Sequence, residues 1–245
     1  MARYAGIIGI LSFCLGVLAF SPTVGASASG HRSPVQAAAS PSVTPTLPDP
    51  QTLMSQAASH SRSRHSVLVS GTVRSSNDRV YDGSTFWANF SWRKHLFHNL
   101  EHYRRPTTLG AFTKVRTIRR VAIGAWLAVH VHRHWYCTKT TQRQNAGYWQ
   151  PPTFTLTSLK TLGKGKVGPY PVWLVAGSFK EHSRSSTLRA SVTVDIDQAD
   201  YLFRAAVAKG TVRTKHVGQA TLHQSVHYSS YGRPVTVKLP AACSS

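Results

Sequence analysis

The chain has 245 residues, with 29 lysines and arginines against 8 aspartates and glutamates, for a formal net charge of +21. Carboxylates this scarce argue against a paired-acid hydrolase, and no nucleophile elbow, phosphate loop or zinc-protease helix occurs. The basic excess is spread along the chain and favours an anionic neighbour such as phospholipid headgroups, acidic glycans or nucleic acid, although a surface suited to an acidic or salty exterior has the same composition.

Met1 to Ala28 reads as a secretory signal: Arg3 is its only charge, an apolar run spans Ala5 to Phe20, and Ala26-Ser27-Ala28 fits a small-residue cleavage site. The run is about 16 residues, short of the ~20 a spanning helix needs. Cys14 lies inside it, but Leu11-Ser12-Phe13 is a poor fit to a lipoprotein cleavage box. Cleavage would leave a charge of +20. Ser29 to Pro48 is rich in Ser, Ala and Pro without apolar period, which describes a flexible tether. One folded domain is expected from Asp49 to Ser245, long enough for a sizeable core.

Asp49-Pro50 is a helix start, with an N-cap aspartate and a proline at the first helical position. Leu53, Met54, Ala57 and Ala58 form the apolar stripe of that helix, which fades into Ser59 to Arg64. Strands are expected at Val67–Val73 and Thr85–Trp92, the second with Phe86, Ala88, Phe90 and Trp92 on one face. His95 to Pro106 reads equally as helix or strand. Arg116 to Trp135 is the longest regular stretch: Val121, Ile123, Leu127, Val129 and Val131 share one parity, and Gly124-Ala125 permits a turn between two strands.

Phe154, Leu156, Leu159 and Leu162 are spaced like a short helix, and Gly163-Lys164-Gly165-Lys166 like a mobile loop. Val172 to Phe179 is a strand. Ser191 to Asp197 alternates cleanly, with Val192, Val194 and Ile196 opposite Thr193, Asp195 and Asp197. Gln198-Ala199-Asp200 turns the chain, Tyr201 to Ala208 returns, Thr221 to Ser229 is a further strand, and Val235 to Pro240 is expected to close the sheet. Eight to ten antiparallel strands with one or two helices, and no βαβ rhythm, exclude a parallel sheet.

Candidate chemistry is sparse. His130, His132 and His134 alternate, which offers imidazoles to a metal or simply a solvated strand face; no acidic residue lies near them in sequence. His98 and His102 with Glu101 are a weaker set, and Asp195, Asp197 and Asp200 read as structural. Asn89-Phe90-Ser91 is a glycosylation sequon inside a strand. Cys137 and Cys243 remain after signal cleavage, and an oxidising exterior favours a disulfide between them. Six tryptophans and nine phenylalanines in so polar a chain leave apolar lining for a guest, because a sheet apolar on one face needs a covering helix or a ligand.

From Asp49 to Pro240 the chain resembles the LolA/LolB-like superfamily of lipid and lipoprotein carriers, most closely its LppX/LprG-like branch. The likeness rests on the exported N-terminus, the helix ahead of Ser70-Gly71-Thr72, the strand Val172-Trp173-Leu174-Val175, Val194-Asp195-Ile196-Asp197 with Tyr201-Leu202-Phe203-Arg204, and Tyr228-Ser229-Ser230-Tyr231-Gly232-Arg233-Pro234-Val235-Thr236-Val237. It implies a mainly β fold with α, a curved, unclosed antiparallel half-barrel over one or two helices, enclosing an acyl-chain cavity. It also implies a non-enzymatic protein without cofactor. The chain departs from the lipoprotein branch in lacking a good lipobox and in its basicity.

The expected protein is a secreted, monomeric lipid carrier, or one on the extracellular face of the cell envelope. It would hold acyl chains against Phe86, Phe90, Trp92, Leu127, Val129, Trp173 and Leu174, with its basic exterior near an anionic membrane or envelope surface and no specific nucleic-acid partner. Two rival readings are a secreted polyanion-binding module with a filled core and a metal-dependent enzyme at the histidine strand.

Overall fold

A computed structural model describes residues 47–76, 81–106, 112–131, 133–139, 154–182, 186–214 and 218–243. The expected signal and nearly all of the tether lie outside the described residues. The helix α1, Pro50–Ser63, is capped as expected, with the Asp49 carboxylate accepting from the Thr52 backbone N–H at 2.7 Å and from its hydroxyl at 2.8 Å. These hydrogen bonds hold the Asp49 carboxyl below its usual pKa. The helix runs through Ser59 to Ser63 where fading was expected, and Leu53, Met54 and Ala57 are buried.

Among the described residues eleven strands follow: β1 Ser66–Ser76, β2 Tyr81–Ser91, β3 Leu96–Pro106, β4 Phe112–Ile123, β5 Trp126–Val131, β6 His134–Lys139, β7 Thr157–Val167, β8 Tyr170–His182, β9 Ser186–Asp197, β10 Phe203–Thr214 and β11 Gly218–Ser229. They form one antiparallel sheet in the order β6-β5-β4-β3-β2-β1-β11-β10-β9-β8-β7. Two meanders, β1–β6 and β7–β11, therefore join where β1 pairs with β11. The sheet is not closed, as expected of a curved half-barrel. Among the described residues its edge strands are β6 and β7, and β7 carries exposed Lys160, Lys164 and Lys166 and two register shifts, features that discourage edge-to-edge pairing.

The inner face follows from the register. Val67 and Val69 pair with Phe90 and Ala88, and Phe90 in turn with Phe97. Val226 pairs with Ala206, and Ala206 with Val194. All of these side chains belong to one buried cluster, together with Leu53, Met54 and Ala57 of α1. The helix lies on this face against β7, β9 and β10. Trp92 Nε1 donates to the Arg62 carbonyl at 2.9 Å and His60 Nδ1 lies 2.8 Å from the Asp200 carbonyl, tying the C-terminal turns of α1 to both arms of the sheet.

Of the two readings open for His95–Pro106 the structure has the strand, β3. Three expectations need correction. Phe154 to Leu162 is not a helix: the chain enters β7 at Thr157, and Gly163 to Lys166 lies within that strand. Ile123 pairs with Trp126 and Val121 with Ala128, so the two-residue turn at Gly124-Ala125 reverses parity and puts Val121 and Ile123 on the face opposite Leu127 and Val129. Finally, Val235 to Pro240 is not a strand. It crosses the outer face of β4–β6, where Val237 and Leu239 pack against Val121, Ala128 and Cys243. A disulfide joins Cys137 of β6 to Cys243, 106 residues apart, and fastens this C-terminal strap.

Candidate functional site

The inner face carries a cleft on the C-terminal arm. Its floor is small and apolar: Ala190 and Val192 of β9, Ala206 and Ala208 of β10, and Leu222 and Val226 of β11. Phe154 and Leu156, just ahead of β7, form a cover above it. The cover can sit low because Gly177 of β8 lies beneath it: a Cβ there would stand 2.9 Å from Leu156 Cβ and 3.0 Å from Leu159 Cδ2. Phe154 packs edge-on against Phe203, with ring centroids 4.9 Å apart.

The cleft encloses about 70 Å3 within about 640 Å3 of space that includes its open mouth. The enclosed part is well below the about 300–1,000 Å3 of small-molecule pockets. Any sizeable guest must therefore lift the cover.

Two polar side chains, Gln224 and Tyr228, line the otherwise apolar β11 side. Tyr228 is 4% exposed, and its hydroxyl has no hydrogen-bond partner among the described residues. Burial, with Tyr231 nearby, pushes its pKa far up, so it stays a neutral donor. A buried hydroxyl without a partner costs about 1–3 kcal/mol, and the residue that carries this one lines the cleft.

The N-terminal arm is different. Glu101 and Asn99 of β3 point to the inner face, opposite Phe86 and Ala88 of β2. Arg120 of β4 donates to Glu101 at 2.8 Å and to Asn99 at 3.2 Å, all three largely buried. Glu101 is thus spent on an arginine, while His98 and His102 lie on the outer face. His130 is on β5 and His134 opens β6 across a turn, with the His130 ring 4.9 Å from Trp135; His132 lies outside the described residues. Among the described residues no three His, Cys, Asp or Glu side chains stand close enough to hold a metal.

Asp197 and Asp200 both accept from Arg204, at 2.8 and 2.9 Å, in the β9–β10 turn. Burial raises the pKa of Asp195 and His227 opposes that.

Of the residues expected to line a cavity, Phe86 and Phe90 are buried in the main core, and Leu127, Trp92 and Trp173 pack against it. Val129 pairs with Arg120 beside the polar group. Leu174 pairs with Asp195 on the outer face. None of the seven is among the residues lining the C-terminal cleft. Sequence reasoning did not single out Ala206, Ala208 or Tyr228, although the small residues in Arg204-Ala205-Ala206-Val207-Ala208 are where a sheet face can be hollow.

The strands' outer face is basic. Arg74, Arg119, Lys139, Arg189, Lys209 and Arg213 are exposed on it, and its carboxylates among the described residues are Asp195 and the arginine-bound Asp197. No described helix is long and apolar enough to cross a membrane.

No protein-family model and no curated protein matches the sequence significantly. Among solved structures, LprF from Mycobacterium bovis superposes with a TM-score of 0.50 at 12% identity, over 78% of this chain and 96% of LprF. A DUF1329 family protein from Desulfovibrio piger (TM-score 0.28, 9% identity, 77% and 96% covered) and a lipoprotein-sorting protein domain from Vibrio parahaemolyticus (0.27, 7%, 74% and 92%) overlap too loosely to carry an argument. At such identity the likeness to LprF shows the fold alone: this chain shares the overall fold of LprF, an open antiparallel half-barrel.

Proposed function

We propose that the protein is an exported, non-enzymatic carrier that takes an acyl chain into the cleft between β8–β11 and the Phe154–Leu156 cover. The observation that carries this reading is the cleft itself: an apolar floor of small side chains under an aromatic lid, with one polar edge. Ala206 and Ala208 leave the space, Phe154 and Leu156 close over the chain, and the Tyr228 hydroxyl donates to the ligand's carbonyl or carboxyl oxygen. The basic outer face supports residence beside an anionic membrane or envelope surface, where each lysine or arginine near the lipid contributes about 1 kcal/mol. The half-barrel fold is consistent with the same role.

Delipidated protein titrated with a fluorescent fatty acid tests the reading, and saturable one-to-one binding at micromolar protein is the expected result. No saturation would overturn it, and native mass spectrometry of protein from its own host should show an adduct of lipid mass. Ala208→Trp fills the floor and is expected to weaken fatty-acid binding at least about tenfold, a loss of about 1.4 kcal/mol, with the fold retained by circular dichroism. Tyr228→Phe should behave differently. Removing a hydroxyl without a partner leaves stability equal or up to about 1 kcal/mol higher, while affinity falls about fivefold. A stability loss on Tyr228→Phe would show that the hydroxyl serves the fold.

A further inference from the structure

A second cavity lies on the other side of the sheet. It is an open groove between the outer face of β3, β4 and β6 and the C-terminal strap, with about 530 Å3 of space, and is lined by residues of both. The sheet contributes His98, Arg119, Val121 and Trp135, and the strap contributes Thr236 to Lys238 and Pro240 to Ala242.

Three features distinguish this cavity from a gap beneath a loop. Its walls are chemically divided, with Arg119 and Lys238 supplying cations from opposite sides and Trp135, Val121 and Val237 supplying an apolar wall. No carboxylate is among the described residues that line it, and neither Arg119 nor Lys238 is ion-paired among those residues, in contrast to Arg120 on the inner face. Its shape is also held in place: the disulfide from Cys137 to Cys243 fixes the strap to β6, and Trp87 packs edge-on against His98 with ring centroids 4.8 Å apart. Burial, and then the charge of Arg119, keep His98 below its usual pKa, so its imidazole is chiefly neutral at neutral pH. A neutral imidazole offers a hydrogen bond without drawing in a carboxylate of its own.

We propose that this strap cavity is a binding site for a small organic phosphate, its phosphate group held between Arg119 and Lys238 and its carbon body against Trp135 and Val237. Two cations match a dianion, and the guanidinium fork suits phosphate oxygens. The volume exceeds a bare ion and falls within the range of about 300–1,000 Å3 typical of small-molecule sites. The phosphate can come from a soluble phosphomonoester or from a lipid headgroup at the anionic surface. The site does not depend on the acyl-chain reading, since it lies on the opposite face of the sheet.

The test is titration calorimetry of the full domain with glycerol 3-phosphate at physiological ionic strength. Co-sedimentation with vesicles of phosphatidylglycerol in phosphatidylcholine is run alongside. Two double variants are compared: Arg119→Gln with Lys238→Gln in the cavity, and Lys209→Gln with Arg213→Gln elsewhere on the same basic face. Both change exposed side chains and remove equal charge.

Saturable binding of glycerol 3-phosphate that weakens about tenfold or more in the cavity variant alone supports the site and assigns a soluble phosphate. Vesicle binding with the same dependence, and none of glycerol 3-phosphate, supports the site and assigns a lipid headgroup. Equal weakening in both variants would reduce the effect to net charge and overturn the proposal, as would no binding of either probe. Fatty-acid binding measured on the same variants is expected to be unchanged, so failure of the cleft reading and failure of this one remain distinguishable.

Discussion

Replacing Arg204 with Met is expected to lower stability by about 3–5 kcal/mol, because the substitution leaves a buried carboxylate without its cation. Arg204 is 10% exposed at its side chain and Asp197 3%, and the guanidinium reaches Asp197 Oδ2 at 2.7 Å and Asp200 Oδ2 at 2.9 Å. It also lies 3.9 Å above the Tyr170 ring, so one side chain links β8, the β9–β10 turn and β10. The two carboxylates organise the turn as well, Asp197 accepting from the Ala199 N–H and Asp200 from the Leu202 N–H, each at about 3 Å.

A loss of 3–5 kcal/mol is a large part of the 5–15 kcal/mol that holds a typical domain. Urea unfolding should show it as a lower midpoint at unchanged slope. The double variant Arg204→Met with Asp197→Leu should recover part of the loss, since no buried charge is left unpaired, but not all of it, because the turn bond to Ala199 goes too. If Arg204→Met alone costs under about 1 kcal/mol, the pair is behaving like an exposed one and the buried network is not what locks the hairpin. The floor of the cleft hangs from this hairpin through Val192, Ala206 and Ala208, so fatty-acid affinity is expected to fall with stability.

The parts of the fold that showed in the sequence are those where burial is one-sided and pairing is regular. Ser191 to Asp197 alternates because Val192, Val194 and Ile196 face the core while Ser191, Thr193 and Asp195 face away, and the structure has that strand as read. Where the ladder slips, the pattern misleads. Phe154, Leu156 and Leu159 pack inward out of strand alternation because the chain enters β7 only at Thr157 and the ladder slips between Thr157 and Lys160, while Leu162, at the second slip, is exposed. A two-residue turn does the same at Gly124-Ala125, where one numerical parity runs through two faces.

Val235 to Pro240 shows the opposite failure. It alternates like a strand because one side of it is buried, on Val121 and Ala128, but no strand is paired with it. Hydrophobic period reports burial on one side and not the hydrogen-bonded neighbour. The cleft was less legible than the sheet for a related reason. Large aromatics draw attention as lining, yet Phe86 and Phe90 fill the core, while the hollow lies over alanines, whose small size leaves the space.

Removing the disulfide should have the other large effect, and should separate the two faces. The bond between Cys137 and Cys243 closes a stretch of 106 residues. On the chain-entropy account, a loop of that length constrains the unfolded chain by about 4–5 kcal/mol. Cys243→Ser, or reduction, is expected to lower the unfolding midpoint accordingly and to loosen the strap, whose Val237 and Leu239 otherwise pack on Val121 and Ala128.

The cleft of β8–β11 shares no residue with that cluster, so the fraction that stays folded should bind fatty acid with unchanged affinity. Limited proteolysis reads the release directly. Tryptic cutting after Lys238 should appear on reduction while the C-terminal arm of the sheet remains intact. A reduced protein that keeps both its midpoint and its resistance to cutting would mean that the strap's own packing, not the bond, secures the outer face.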